Sequence, residues 1–399
     1  MNILYAQSGG VTGVINSSAY GVIKRALHEK STEKIYVARD GLNGILTDNL
    51  FDLSDIDEQK LEYLKGTPSS AFGSCRKKIT SSNEKEYLDK IFETFEKYKI
   101  DVFFYNGGND SMDTANKIYN HAGNISYDIK VIGIPKTVDN DLYGTDHTPG
   151  YGSAARMLSL YALEGSLDVR SMARDSTKVF ILETMGRHAG WLAASTVITK
   201  LSNNIGPHII LVPEDIFDEK HFLEKVLYTV NKYGYCSVVA SEGITYNDGT
   251  FVSDMGYSDN FGNKQLGNVG NTLSKMIYNN LKFKVHTAVP DYLQRSGGHI
   301  LSLTDVNEAV LCGSSAVDMA IQGITGKMVT IERISDYPYK SAFSNVDLSD
   351  VANNTKLLPK KFIDDYFITD EFIKYVQPLI YPEKTYTYNQ GIPQIFDIL

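Results

Sequence analysis

Two short polar runs carry the residues best suited to chemistry: Tyr105-Asn106-Gly107-Gly108-Asn109-Asp110-Ser111 and Pro135-Lys136-Thr137-Val138-Asp139-Asn140-Asp141. The paired glycines of the first let backbone N–H groups approach a phosphate. The second sets Asp139 and Asp141 beside Lys136 and Thr137. One carboxylate would take a proton from a hydroxyl and the other would bind magnesium, which is what phosphoryl transfer needs beyond positioning and charge neutralisation. Alone, the second run is an Asx-rich turn; next to a glycine-paired loop, phosphoryl transfer becomes the leading interpretation.

Other runs add to this set. Gln7-Ser8-Gly9-Gly10 follows an apolar stretch and precedes a helical one, so an anion there would meet a helix N-terminus. It has neither the Gly-Lys-Ser/Thr of a P-loop nor a dinucleotide fingerprint. Gly73-Ser74-Cys75-Arg76-Lys77-Lys78 is a basic turn in which Arg76 is the best phosphate ligand, because guanidinium binds phosphate bidentately. Thr184-Met185-Gly186-Arg187-His188 offers Arg187 to a ligand, with His188 read as a cap or core residue. Ser241-Glu242-Gly243 and Tyr292-Leu293-Gln294-Arg295-Ser296-Gly297-Gly298 are ordinary turns when taken singly. Their weight comes from order and company.

The elements that must position these residues follow from periodicity. Asn2–Ala6, Lys34–Ala38, Asp101–Tyr105, Lys130–Ile134, Lys178–Glu183, His208–Val212 and Cys236–Ala240 read as strands. Val14–Glu29, Tyr87–Tyr98, Ser111–Tyr119, Ala154–Leu167, His188–Thr199 and Lys220–Tyr233 read as helices, with Leu88, Ile91, Phe92 and Phe95 on one face of the second. Such alternation predicts an α/β fold with parallel sheets covered on both faces. Ligands in these folds sit at the carboxyl ends of strands, where the loops after Ala6, Tyr105, Ile134, Glu183 and Ala240 fall.

With 399 residues the chain is long enough for two or more lobes. A formal charge of -9 argues against a nucleic-acid partner, so positive charge for a polyanionic substrate must be concentrated locally. The three cysteines, Cys75, Cys236 and Cys312, are too widely spaced for a disulfide framework or a zinc site. No apolar run is long enough to span a membrane. Met1 leads straight into an apolar strand without a signal-peptide pattern, so the expected location is cytoplasmic.

In order, the motifs resemble those of the phosphofructokinase family from residue 2 to about residue 330. The resemblance implies two doubly wound (Rossmann-like) lobes with mainly parallel sheets and an active site in the cleft between them. Residues 1–150 plus about 294–345 would form a larger donor-binding lobe. Residues 151–293, with part of the tail, would form a smaller sugar-phosphate lobe, and about 346–399 a peripheral extension. It implies Asp139 as general base on the C1 hydroxyl of fructose 6-phosphate, with Lys136 and Arg187 as further catalytic groups. Thr137, Met185, Gly186, Arg187 and Glu242 would line the sugar, and Tyr292 and Arg295 would hold its 6-phosphate. Gly10, Arg76, Gly107, Gly108, Asp110 and Ser111 would hold the donor, with Mg2+ at Asn109 and Asp141.

Donor choice turns on Asp110 and Lys136. ATP-using members carry glycine at both positions, whereas the aspartate–lysine pair belongs to the pyrophosphate-dependent branch. A carboxylate about 4 Å from the α-phosphate of ATP would repel it by roughly 4 kcal/mol at an effective dielectric of about 20, on the order of a thousandfold in affinity. The expected reaction is reversible transfer from pyrophosphate, giving fructose 1,6-bisphosphate and phosphate. The alternatives are an ATP-dependent enzyme of the same fold and a non-catalytic sugar-phosphate-binding paralogue. Asn109 replaces the family's usual magnesium-binding aspartate. Lys178 and His286 stand where many ATP-using members place arginines that reach a neighbouring subunit's sugar phosphate, with Lys284 as the substitute for His286. The resemblance therefore also implies a homodimer or homotetramer.

Overall fold

The computed structural model describes residues 1–253, 268–352, 354–382, 384–385, 388–389 and 392–393. Its principal strands are β1 (Asn2–Gln7), β2 (Lys34–Ala38), β3 (Leu50–Asp52), β4 (Ile100–Gly107), β5 (Lys130–Pro135), β6 (Val179–Thr184), β7 (Ile209–Leu211), β8 (Cys236–Ser241), β9 (Val285–Ala288), β10 (Lys327–Asp336) and β11 (Tyr339–Asp347). One sheet has the order β11-β10-β5-β4-β1-β2-β3 and a second the order β7-β8-β6-β9. Pairing is parallel apart from the two edges of the larger sheet, where β3 runs antiparallel to β2 and β11 to β10.

The central strands are apolar on both faces because helices cover both. Ile3 and Tyr5 of β1, with Val102 and Phe104 of β4, point into one core; Leu4 and Ala6, with Phe103 and Tyr105, point into the other. This is the period-two alternation of a doubly covered strand. The helix Glu84–Tyr98 closes the second core with Leu88, Ile91, Phe92 and Phe95, as its spacing predicts. It stops at Lys99, which turns into the left-handed region at φ 51°. The smaller sheet repeats the scheme: Ile181 and Val238 face one way, Leu182 and Val239 the other.

The carboxyl ends of β1, β4 and β5 place the loops at Ser8, Gly108 and Lys136 side by side. Ser8 N donates to Asn106 O at 2.9 Å, and Lys136 N donates to Gly107 O at 3.0 Å. The carboxyl ends of β6 and β8 similarly join the loops at Met185 and Glu242, with Glu242 N donating to Thr184 O at 2.9 Å.

Two expectations need correction. The helix expected over His188–Thr199 begins only at Trp191, because Gly186 at φ 129° breaks the preceding chain. It tightens into a 3₁₀ turn at Thr196, where the Ser195 and Thr196 hydroxyls bond carbonyls three residues back at 2.6 and 2.7 Å. Such local bonds compete with the α-helical ladder. The stretch expected from about residue 346 as a peripheral appendage is woven into the core. Leu348 and Val351 pack under the larger sheet, while Leu358, Phe362, Ile368, Phe372, Val376 and Leu379 pack under the smaller one. Burying each such side chain contributes about 1.5–3 kcal/mol, so this part of the tail is structural. Residues 394–399, at the end of that expected extension, lie outside the described residues.

Candidate active site

A cavity of about 430 Å³ opens between the two sheets. Gly10, Arg76, Gly108, Asn109, Asp110, Ser111, Lys136, Thr137, Asp139 and Asp141 face it from the larger sheet, Met185 and His188 from the smaller one, and Arg295 from the short helix Leu293–Ser296. A larger cavity of about 640 Å³ surrounds His208 beside the start of β7. Its lysines Lys200 and Lys225 are already paired with Asp370 and Asp365, and it holds no comparable set of free anion-binding groups.

Glycine makes the donor side possible. A Cβ on Gly10 would stand 2.7 Å from Arg295 Nη1, and one on Gly107 would stand 2.0 Å from Ser111 Oγ. Gly108 caps the helix Asn109–Asn124, whose N-terminus therefore opens onto the cavity. A Cβ there would meet only Lys136 O, at 3.7 Å, so the protein has room for one, and it is the approach of a ligand to the helix end that glycine keeps clear. Gly9 N donates to Cys75 O at 2.9 Å and Ser74 Oγ to Gly9 O at 2.8 Å, which ties the Arg76 turn to the first loop.

Lys136 is buried and its ammonium donates to Gly10 O. Burial lowers its pKa to about 7; Arg295 and Arg76 push the same way, while Asp139 and Asp141 oppose. Asp139 is raised well above the usual carboxylate range, first by burial and then by Asp141 and Glu242. Asp141 is raised by burial. Three cations crowded in a small space, with a carboxylate held toward neutrality, is the electrostatic state of a site built to receive a polyanion.

The metal position can be tested on its oxygens. Asn109 Oδ1 is buried with no hydrogen-bond partner, and Asn109 Nδ2 lies 3.4 Å from Asp141 Oδ2. Among the described residues no cluster of three or more His, Cys, Asp or Glu side chains forms a metal cage. One carboxylate beside one unsatisfied amide oxygen fits magnesium, which keeps waters and substrate phosphates as its remaining ligands.

The sugar-side residues meet nearby. Ser241 Oγ donates to Gly186 O at 2.6 Å, and Met185 N donates to Gln294 Oε1 at 3.0 Å. Burial raises the Glu242 pKa, and Arg187 is close enough to oppose that shift. Tyr292 is 58% exposed, with the Arg295 guanidinium 4.0 Å from its ring centroid. Arg295 itself lies against Gly10, on the donor side. Lys178 and His286 are not brought to the cavity. Lys178 precedes β6, a strand length of roughly 20 Å from Met185, and its ammonium donates to Ala173 O and Arg174 O. His286 is exposed on β9, paired with Phe180 near the same end of β6.

Three residues were missed. Lys78, in the same basic turn as Arg76, forms an ion pair with Asp110. His188 is neither cap nor core but exposed at the rim, near enough to Asp141 to feel its charge. Lys356, 216 residues beyond Asn140, donates to its Oδ1 at 3.1 Å; nothing local in the sequence marks it.

The sequence matches the phosphofructokinase family model over residues 2–320. A pyrophosphate–fructose 6-phosphate 1-phosphotransferase of Halomonas elongata is 44% identical, with 99% of this chain and 95% of that one aligned. The enzyme so named in Xanthomonas campestris is 44% identical over 98% and 95% of the two chains. A pyrophosphate-dependent phosphofructokinase structure from Nitrosospira multiformis superimposes with a TM-score of 0.89 at 43% identity, covering 98% of this chain and 95% of that one. One from Marinobacter aquaeolei gives 0.90 at 42% identity, covering 100% and 96%.

Proposed function

From the premise that the chain belongs to the phosphofructokinase family, we infer that it transfers a phosphoryl group reversibly from pyrophosphate to the C1 hydroxyl of fructose 6-phosphate. The products are fructose 1,6-bisphosphate and phosphate. The observation that carries the donor assignment is that Lys136 and Asp110 both line one cavity, in the places where ATP users carry glycines.

In this scheme the C1 oxygen attacks the near phosphorus of pyrophosphate, forming a P–O bond as its proton passes to Asp139. The bridging P–O bond breaks and its electron pair leaves with phosphate. Asp139, with its raised pKa, is tuned for a base working near neutral pH. The Lys136 ammonium stabilises charge on the departing phosphate, and Arg76, Gly108 and the helix end behind it orient the donor. Thr137, Met185, Gly186, Arg187 and Glu242 orient the sugar, with Tyr292 and Arg295 on its 6-phosphate; Arg295 also lies beside Gly10 on the donor side. Asn109 and Asp141 would hold magnesium, which when bound neutralises pyrophosphate oxygens.

Lys178 and His286 would serve only a neighbouring copy's sugar phosphate, so we take the active unit to be a homodimer or homotetramer. No helix among the described residues is long and apolar enough to cross a membrane; a cytoplasmic location accords with highly charged substrates. The test is 31P NMR of the protein with magnesium, pyrophosphate and fructose 6-phosphate. Growth of the 1-phosphate resonance, reversed on starting from fructose 1,6-bisphosphate and phosphate, is expected; no transfer in either direction would overturn the assignment.

A further inference from the structure

Asn140, between the two working aspartates, is held in an uncommon state. It is fully buried and adopts φ 55°, the left-handed region that asparagine enters more readily than most side chains. Its side chain faces inward while Asp139 and Asp141 face the cavity. Its amide is bonded from two sides by the C-terminal segment: Oδ1 accepts from Lys356 Nζ at 3.1 Å, and Nδ2 donates to Tyr375 OH at 2.8 Å. Thr148 N also donates to Oδ1, at 3.1 Å, so the loop closes on itself through the same group.

The same two residues grip the rest of the loop. Lys356 Nζ donates to Asp146 O at 2.7 Å and Thr145 O at 3.2 Å, and Tyr375 OH donates to Asp146 O at 2.9 Å. The Lys356 backbone N–H donates to Asp141 O at 2.8 Å. Three oxygen acceptors around one nitrogen match the three N–H bonds of an ammonium. Behind them stands Trp191, whose Nε1 donates to Lys356 O at 3.0 Å and whose ring lies 4.9 Å from Lys356 Nζ and 5.4 Å from the Tyr375 ring.

We propose that Lys356 and Tyr375 are positioning residues for phosphoryl transfer: through Asn140 they hold the loop that aims Asp139 and Asp141 into the cavity. Neither side chain lines the cavity; Tyr375 acts through the loop alone, while the Lys356 charge also reaches Asp141 directly. This role rests on taking Asp139 and Asp141 as the working carboxylates. It gives the C-terminal segment a part in the reaction as well as in the core.

The test uses the full-length protein with Tyr375→Phe and Lys356→Met. The first removes one hydroxyl and keeps the ring against Trp191; the second keeps chain length and removes the ammonium. Misplacing reacting groups by about 1 Å costs up to ~10²-fold, so kcat should fall about 10- to 100-fold in each. KM for fructose 6-phosphate should stay within about threefold, since Arg187, Glu242 and Arg295 lie outside this loop. Lys356→Arg, which retains a cation, should recover part of the loss. The chain has one tryptophan, so an unchanged emission maximum in Tyr375→Phe reports that packing around Trp191 is kept. Tyr375→Phe with kcat within twofold of the parent would overturn the proposal, as would a loss of kcat matched by an equal rise in KM for fructose 6-phosphate. Full activity in Asp139→Asn would instead fault the underlying assignment of the base, which separates the two failures.

Discussion

Lys78 Nζ lies 2.8 Å from Asp110 Oδ2 across the donor side of the cavity, joining the basic turn to the N-terminus of the helix Asn109–Asn124. The carboxylate that would exclude ATP is therefore paired. Side-chain exposures of 37% and 69% make this a solvent-screened contact, contributing about 0–1 kcal/mol to stability. Its effect on donor binding is larger in kind, because without Lys78 a bare carboxylate would face the incoming pyrophosphate. Lys78→Ala should raise KM for pyrophosphate by up to about tenfold and leave the thermal midpoint nearly unchanged. Initial rates over a pyrophosphate series check this.

Asp139 carries opposite demands for catalysis and stability. Asp139→Asn keeps the shape and removes the base, so kcat should drop by ~10²–10⁴ with little change in KM for fructose 6-phosphate. The same change should raise the thermal midpoint, because burial, Asp141 and Glu242 all disfavour the charge. The folded pKa lies above the ordinary 3.8, so the cost of the charge is absent below that value and grows as pH rises toward the folded pKa. The gain in midpoint should be clear at about pH 8 and vanish at about pH 3.5. Calorimetry at the two pH values decides it.

Lys136 and Asp139 together shape the pH dependence. Activity needs Asp139 ionised, so it rises with pH through that group's raised pKa. It also needs the Lys136 ammonium, which in the empty site is lost above about pH 7 because burial, Arg295 and Arg76 disfavour it. The profile of kcat/KM for pyrophosphate should be a narrow bell near neutral pH. Bound pyrophosphate favours the ammonium, so the alkaline limb of kcat should lie at higher pH than that of kcat/KM. A kcat/KM flat from about pH 7 to 9 would contradict the assignment.

Gly107 and Gly108 separate packing from ligand approach. Gly107→Ala would drive a methyl group into Ser111 at 2.0 Å and should lower thermal stability as well as activity. At Gly108 the added methyl has room and its φ is an ordinary -95°. Gly108→Ala should therefore fold normally and raise KM for pyrophosphate alone. Paired melting curves and donor titrations test both variants.

Much of the frame was legible because the central strands and the helix Glu84–Tyr98 follow simple periods, and because glycine pairs sit where β1 and β4 end. The same rule brought Gly10, Asp110, Lys136, Asp139 and Asp141 to one place, whereas Arg76 arrives through the bond from Gly9 N to Cys75 O. The rest depends on contacts between distant segments that leave no local pattern. Lys356 reaches Asn140 across all four strands of the smaller sheet, and the tail from Leu348 to Leu379 is core only because other elements leave faces for it to cover. The pairing of Lys78 with Asp110 depends on a turn docking at a helix end. The placement of Arg295 against Gly10 depends on how the short helix Leu293–Ser296 docks beside the first loop. Lys178 and His286 point to no group in this cavity, and sequence order alone gives no distance between them and it.

The most direct test of the account is the ratio of kcat/KM for pyrophosphate to that for ATP, measured with magnesium and fructose 6-phosphate in the parent protein and in Asp110→Gly. The parent should favour pyrophosphate over ATP by on the order of a thousandfold. The ratio should be at least about tenfold smaller in Asp110→Gly, where Lys78 is freed to meet an α-phosphate and the carboxylate is gone. A parent that turns over ATP but not pyrophosphate, or a ratio unmoved by the substitution, would contradict the role given to Asp110.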